Sequence, residues 1–230
     1  MEFRYCLGFR ASDFKFTCYQ KTWYITSLMD ISFIFKIIVF LYSVIIHEVS
    51  HGLMAQSMGD TTAKNAGRLT LNPIPHIDLF GSILLPAMLF LGGSPVLFGY
   101  AKPVPYNPAN LNDRKWGPAK VGLAGPLANI ILAVLFGLAL RFLPFSLHTS
   151  ILPQLLEYSV IVNLGLAIFN LIPIPPLDGH WLLLTFLPER FAKFKYFILQ
   201  YGFILLLIFI FFFSHLLSPL IYFLARVIIG

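Results

Sequence analysis

Apolar residues in this chain gather into runs long enough to cross a bilayer, which excludes most soluble folds before any motif is read. A transmembrane helix needs about 20 mostly apolar residues. Stretches of that kind run from Ile31 to near Met58, Ala119 to Phe142, Ile151 to near Leu171, and Tyr196 to Leu217. Ile83 to Tyr100 is equally apolar but is interrupted by Pro86, Gly92, Gly93 and Pro95. Of 230 residues, 58% are hydrophobic and 11% charged, where a soluble domain would be about a quarter charged. The formal charge of +6 is spread over short loops, a distribution that orients a membrane protein and offers no patch for nucleic acid. Cys6 and Cys18 have no metal-ligand spacing.

Residues 1–30 are polar and aromatic without clear periodicity, and they lack the apolar core of a signal peptide. They read as an N-terminal extension, with Met29 the expected natural start and 31–230 a single membrane-embedded domain. The Gly-, Pro- and Asn-rich stretch Gly59 to Gly81 reads as irregular loop. The tail Pro219 to Gly230 is too short to cross alone at about 1.5 Å per residue; it reads as an interfacial helix or half of a tilted hairpin. The expected fold is an all-α polytopic membrane protein, a bundle of about four to six membrane segments.

Within the first apolar run stands His47-Glu48-Val49-Ser50-His51. On a helix, residues four apart share a face, so both imidazoles can reach one metal ion, and the adjacent Glu48 suits a general base. The plainer alternative is two histidines and a carboxylate satisfied by neighbouring helices. Ionisable groups in a transmembrane helix cost several kcal/mol and mark functional sites by default, so the metal reading is preferred. Catalytic zinc usually has three protein ligands, and the remaining candidates include Asp78, Asp113, Asp178, Glu157, Glu189 and four further histidines. Asp178 stands out because it follows the proline-broken end of a span, Asn170-Leu-Ile-Pro-Ile-Pro-Pro-Leu-Asp178-Gly179.

HEVSHG on an early helix, GLAGPLAN opening a later one and NLIPIPPLDG closing the next together resemble the site-2 protease family of intramembrane zinc metalloproteases. The resemblance spans Met29 to about Leu187. It implies one catalytic Zn2+ held by His47, His51 and Asp178, Glu48 as catalytic base, and Asn129 and Asn170 as polar residues facing the site. It also implies a transmembrane protein as substrate, such as a membrane-tethered regulator, and a bacterial cell membrane as location. Family members often carry a PDZ or CBS domain, which this length leaves no room for, so the chain is similar to the minimal branch. His180 departs from the usual glycine and reads as a lipid-interface histidine, a spare ligand or a donor behind the ligands. His76 and Asp78 read as a capped loop, with gating or positioning as their functional alternative.

The ligands constrain topology. If His51 and Asp178 share one ion, the ends of their helices lie on the same side, and an even number of crossings separates them. The broken segment near 83–100 is therefore expected to be re-entrant or a hairpin, buried in protein or lining a wet cavity. Gly92 and Gly93 are expected to lie at a strand edge that clamps an unwound substrate. Lys64, Arg68, Lys102, Arg114, Lys115 and Lys120 then share a face with Arg190, Lys193 and Lys195, which turns the site toward the cytoplasm. The rival reading is a membrane metal-ion transporter or metal-binding protein using the same ligands. The sequence leaves the substrate and the oligomeric state open.

Overall fold

The computed structural model describes residues 31–84, 87–88, 91, 102–144 and 151–230. It consists of α1 (Ile31–Ser57), α2 (Thr62–Asn65), α3 (Gly117–Arg141), α4 (Leu152–Asn170), α5 (Gly179–Phe186), α6 (Ala192–Phe213) and α7 (Leu217–Ile229), with short 3-10 turns and a π-helical stretch at Leu79–Leu84. There is no strand among the described residues. Four helical stretches among the described residues are long and apolar enough to span a membrane. The expected helical, polytopic architecture is the one found.

Cross-helix contacts fix the directions of the central three helices. His51 meets Val121 and His47 meets Asn129, so α1 and α3 are antiparallel. Asn129 meets Asn163, and Gly122 lies against Asp178, so α3 and α4 are antiparallel as well. The ends of α1 and α4 thus emerge on one side, as a shared ion requires. Small residues on α3 (Gly122, Ala124, Gly125, Ala133, Gly137) are buried and let the backbones approach closely. Large apolar side chains such as Phe40, Ile131, Phe203 and Phe211 point outward, an arrangement suited to lipid and costly in water.

The loop after α1 contains a short helix, α2, where the sequence suggested only irregular chain. Asp60 explains it: the carboxylate accepts from the Thr62 N–H and hydroxyl, and then from Asn107 N–H (2.6 Å) and Asn110 Nδ2 (3.0 Å). Asp60 therefore starts α2 and ties it to the returning chain. The Lys102 N–H donates to the His76 carbonyl at 2.9 Å, so the two flanks of the broken segment meet on one side of the bundle. Most of that segment, including Gly92 and Gly93 and the clamp expected there, lies outside the described residues, as does the extension 1–30.

The tail forms α7, which packs into the bundle. Ala225 is buried with Ala133, Val160 and Leu164, and Ile228 occupies the space that a Cβ on Gly137 would need. Between α4 and α5 the chain turns through Pro173, Pro175 and Pro176, which cannot continue a helix. Gly179 closes this turn against the backbone of Leu171 and Ile172, leaving no room for a side chain. Because backbone, not a rotatable side chain, blocks the space, Gly179→Ala should cost at least the ~1–3 kcal/mol typical of overpacking. Thermal unfolding in detergent checks this: the expected fall in Tm is about 3–10 °C.

Candidate metal centre

Two turns of α1 carry His47 and His51 on one face, both buried. Their rings sit 4.7 Å apart, edge to face. Asp178 occupies the N-cap position of α5, where an aspartate ordinarily accepts from backbone N–H groups. Here it makes no capping bond. Its Oδ2 lies instead 3.0 Å from His47 Nε2 and 3.3 Å from His51 Nε2. Ligand atoms of the three residues fall within 4.8 Å of one another and can hold one metal ion.

The opposite edges of the imidazoles decide what those Nε2 atoms present. His47 Nδ1 lies 2.6 Å from Asn129 Oδ1, and His51 Nδ1 lies 2.7 Å from the Val121 carbonyl. A carbonyl can only accept, so each Nδ1 carries the proton and, in the neutral ring, each Nε2 is a bare lone pair. The Asn129 orientation is itself fixed, because its Nδ2 donates to Asn163 Oδ1 (2.7 Å) and to the Ser43 carbonyl (3.3 Å). Asn163 Nδ2 donates in turn to Ser43 Oγ (3.0 Å) and the Ser159 carbonyl (2.9 Å). Two nitrogen lone pairs and a carboxylate oxygen thus face one another, an arrangement that a divalent cation of the zinc type satisfies. The cavity wall fits the same conclusion. A Cβ on Gly125 would fall 2.5 Å from His51 Nε2 and 2.7 Å from His47 Nε2, so only glycine leaves the ligand edges clear.

Glu48 is held separately. Val104 N–H donates to its Oε2 at 2.9 Å. Close by, Tyr106 packs edge-on against Trp181, with ring centroids 6.3 Å apart, and its buried hydroxyl has no partner among the described residues. Burial, and then the Asp178 carboxylate, push this phenol up to about 12, so it is a neutral donor at any working pH.

The other candidates lie elsewhere. Asn170 Nδ2 turns back to the Leu166 carbonyl (2.9 Å), and no described contact joins it to the His–His–Asp group. His180 is buried, with Nδ1 donating to the Leu177 carbonyl at 2.6 Å, so it braces the turn before Asp178 and does not sit at a lipid interface. His76 is buried, with Nε2 donating to the Thr70 carbonyl, and Asp78 accepts from Gly81 N–H at the start of the π-helical stretch. Asn163, Ser43 and Tyr106 escaped the sequence reading. Asn163 and Ser43 were the more accessible, as polar residues inside otherwise apolar spans.

Comparison with known proteins follows the same line. The model of peptidase family M50 matches residues 35–151 and 144–209. The Putative zinc metalloprotease YwhC of Bacillus subtilis is 35% identical over 180 residues, covering 76% of this chain and 78% of its own length. Rip2 of Mycolicibacterium smegmatis, described in the same words, is 32% identical over 154 residues, which cover 64% of this chain and 55% of Rip2. MJ0611 of Methanocaldococcus jannaschii, also so described, is 48% identical over 62 residues, covering 26% of this chain and 30% of its own. No solved structure matches the chain.

Two substitutions test the geometry by metal content. Gly125→Ala is expected to reduce bound zinc from about one per chain to near zero. Asn129→Leu, which frees the His47 tautomer, should weaken zinc affinity about 10–100-fold in competition with a chelator.

Proposed function

The chain belongs to peptidase family M50 and is a zinc metalloprotease, and from that footing we propose that it cuts peptide bonds in or near transmembrane segments of other membrane proteins. In this reading His47, His51 and Asp178 are the zinc ligands and Glu48 is the general base. One observation carries it. His47 and His51 lie on α1, an apolar helix of span length, and converge with Asp178 on one point, which supports a hydrolytic site within reach of a polypeptide that is itself in the bilayer.

When bound, the zinc ion supplies a Lewis acid that polarises the scissile carbonyl and brings the pKa of water toward neutral. The protein's own groups do the rest. Glu48 accepts the proton of the attacking water through Oε1, while the Val104 N–H keeps Oε2 engaged. Glu48 then returns that proton to the leaving amine. Asn129 holds His47 so that its lone pair stays on the reacting side.

Water and substrate impose two further conditions. Lys64, Lys102, Lys115 and Lys120 lie on the loops and helix start around the site, and the excess of basic residues there favours a cytoplasmic opening. A helical substrate keeps its carbonyls hydrogen-bonded, so the segment cut must unwind, which favours substrates with helix-weakening residues.

The test compares wild type with Glu48→Gln, purified in detergent, for zinc content and for cleavage of a helix-weakened transmembrane peptide. Both should retain about one zinc, and the variant should be slower by at least about 100-fold. Zinc in both with no cleavage by either, across varied substrates, would move the metal-transport reading ahead.

A further inference from the structure

Arg68 is a cation of the loop after α1, and its side chain is only 6% exposed. No carboxylate is among its partners in the described residues. Instead the guanidinium donates to three carbonyls: Pro75 through Nη1, and Lys102 (2.6 Å) and Pro103 (3.2 Å) through Nη2. These carbonyls belong to the two chain segments flanking the broken region, which the Lys102 N–H to His76 carbonyl bond also joins. The peptide unit after Pro103 supplies the Val104 N–H, which donates to Glu48 Oε2 at 2.9 Å. Val104 is itself seated on α1, because a Cβ on Gly52 would fall 2.8 Å from its Cγ1 and 2.5 Å from Leu69 Cδ2.

We propose that Arg68 is a positioning residue for Glu48: it clamps the strap at Lys102–Pro103 so that the Val104 N–H fixes the orientation of the base. The chemistry suits arginine in particular. A planar fork can serve several carbonyls at once, whereas a lysine ammonium is a single point donor. Burial of an arginine without a counter-ion is expensive; here the carbonyl dipoles at the strap offset part of that cost, and Nε has no partner among the described residues. The strap carries no regular secondary structure, so no helix or sheet ladder would hold Val104 in place without Arg68. Arg68 touches neither ligands nor base, and its effect reaches Glu48 through the Val104 amide alone.

The inference rests on the reading of Glu48 as base, and the experiment separates the two. Steady-state cleavage of a transmembrane peptide and zinc content are measured for wild type, Glu48→Gln, Arg68→Met, Val104→Pro and the double variant Arg68→Met/Val104→Pro. Val104→Pro deletes the amide donor, together with the side chain that packs on Gly52. Arg68→Met is expected to lower kcat about 10–100-fold, with KM within about twofold and zinc retained. The double variant should be no slower than Val104→Pro alone, because both changes remove one interaction. Unchanged kcat in Arg68→Met, loss of zinc in step with activity, or multiplying effects in the double variant would each overturn the proposal. Should Arg68→Met not fold, Arg68→Lys serves in its place: a reduced kcat with normal KM and zinc supports the bridge, and wild-type kcat refutes it. Equal cleavage by wild type and Glu48→Gln would remove the base reading itself, whatever Arg68 does.

Discussion

Two hydrogen bonds that point away from the reacting centre govern everything inside it. By accepting the Nδ1 protons of His47 and His51, Asn129 and the Val121 carbonyl leave both Nε2 lone pairs directed at one oxygen of Asp178. Neutral imidazoles so held have no donor to offer a carboxylate, and the contact is unfavourable until a cation lies between them. Both acceptors belong to α3, so the helix that contributes no ligand decides what the ligands can bind. Its glycines serve the same end: Gly125 clears the space in front of the imidazoles, and Gly122 lets the Asp178 turn approach.

The Glu48 carboxylate and the His47–His51–Asp178 group are positioned by different parts of the molecule. The ligands hang from α1 and from the proline-rich turn after α4, both braced by helix packing. Glu48 also starts on α1, but its carboxylate is steered by an irregular strap whose shape depends on Asp60, His76 and Arg68. All three are buried polar residues that bond chiefly to backbone groups or near neighbours. Loops cannot bury unsatisfied backbone groups at low cost, and these side chains make the strap stable against the bundle. The geometry of the His–His–Asp group and that of the Glu48 carboxylate can therefore be altered one at a time.

Much of this was legible in the sequence because the signals involved are local. The spacing of four between His47 and His51 puts them on one helical face whatever surrounds them. The apolar runs give the spans to within a few residues, and the demand that His51 and Asp178 meet led to an even number of crossings between their helices. The chain flanks at His76 and Lys102 do meet on one side. What escaped notice depends on contacts distant in sequence. Asn163 is one polar residue in an apolar helix until Asn129 and Ser43 are placed beside it. Arg68 reads as an ordinary loop cation, since nothing nearby in sequence announces the three carbonyls it serves. The alternatives for His180 stay open in the sequence for a related reason: its burial and its bond to the Leu177 carbonyl come from the fold of the turn before Asp178, which hydropathy does not report.

The buried polar ladder from Ser43 and His47 to Asn129 and Asn163 has a consequence for how the chain is made. The partner of His47 lies 82 residues downstream and that of Ser43 Oγ lies 120 residues downstream. At a synthesis rate of about 5–20 residues per second, α1 waits roughly 4–16 s for Asn129 alone. Until then His47 lacks its partner, and Ser43 waits longer still for Asn163, while Glu48 and His51 meet theirs after 56 and 70 residues. A helix in that state is poorly suited to open lipid. The order of synthesis therefore leaves α1 short of its polar partners until α3 arrives.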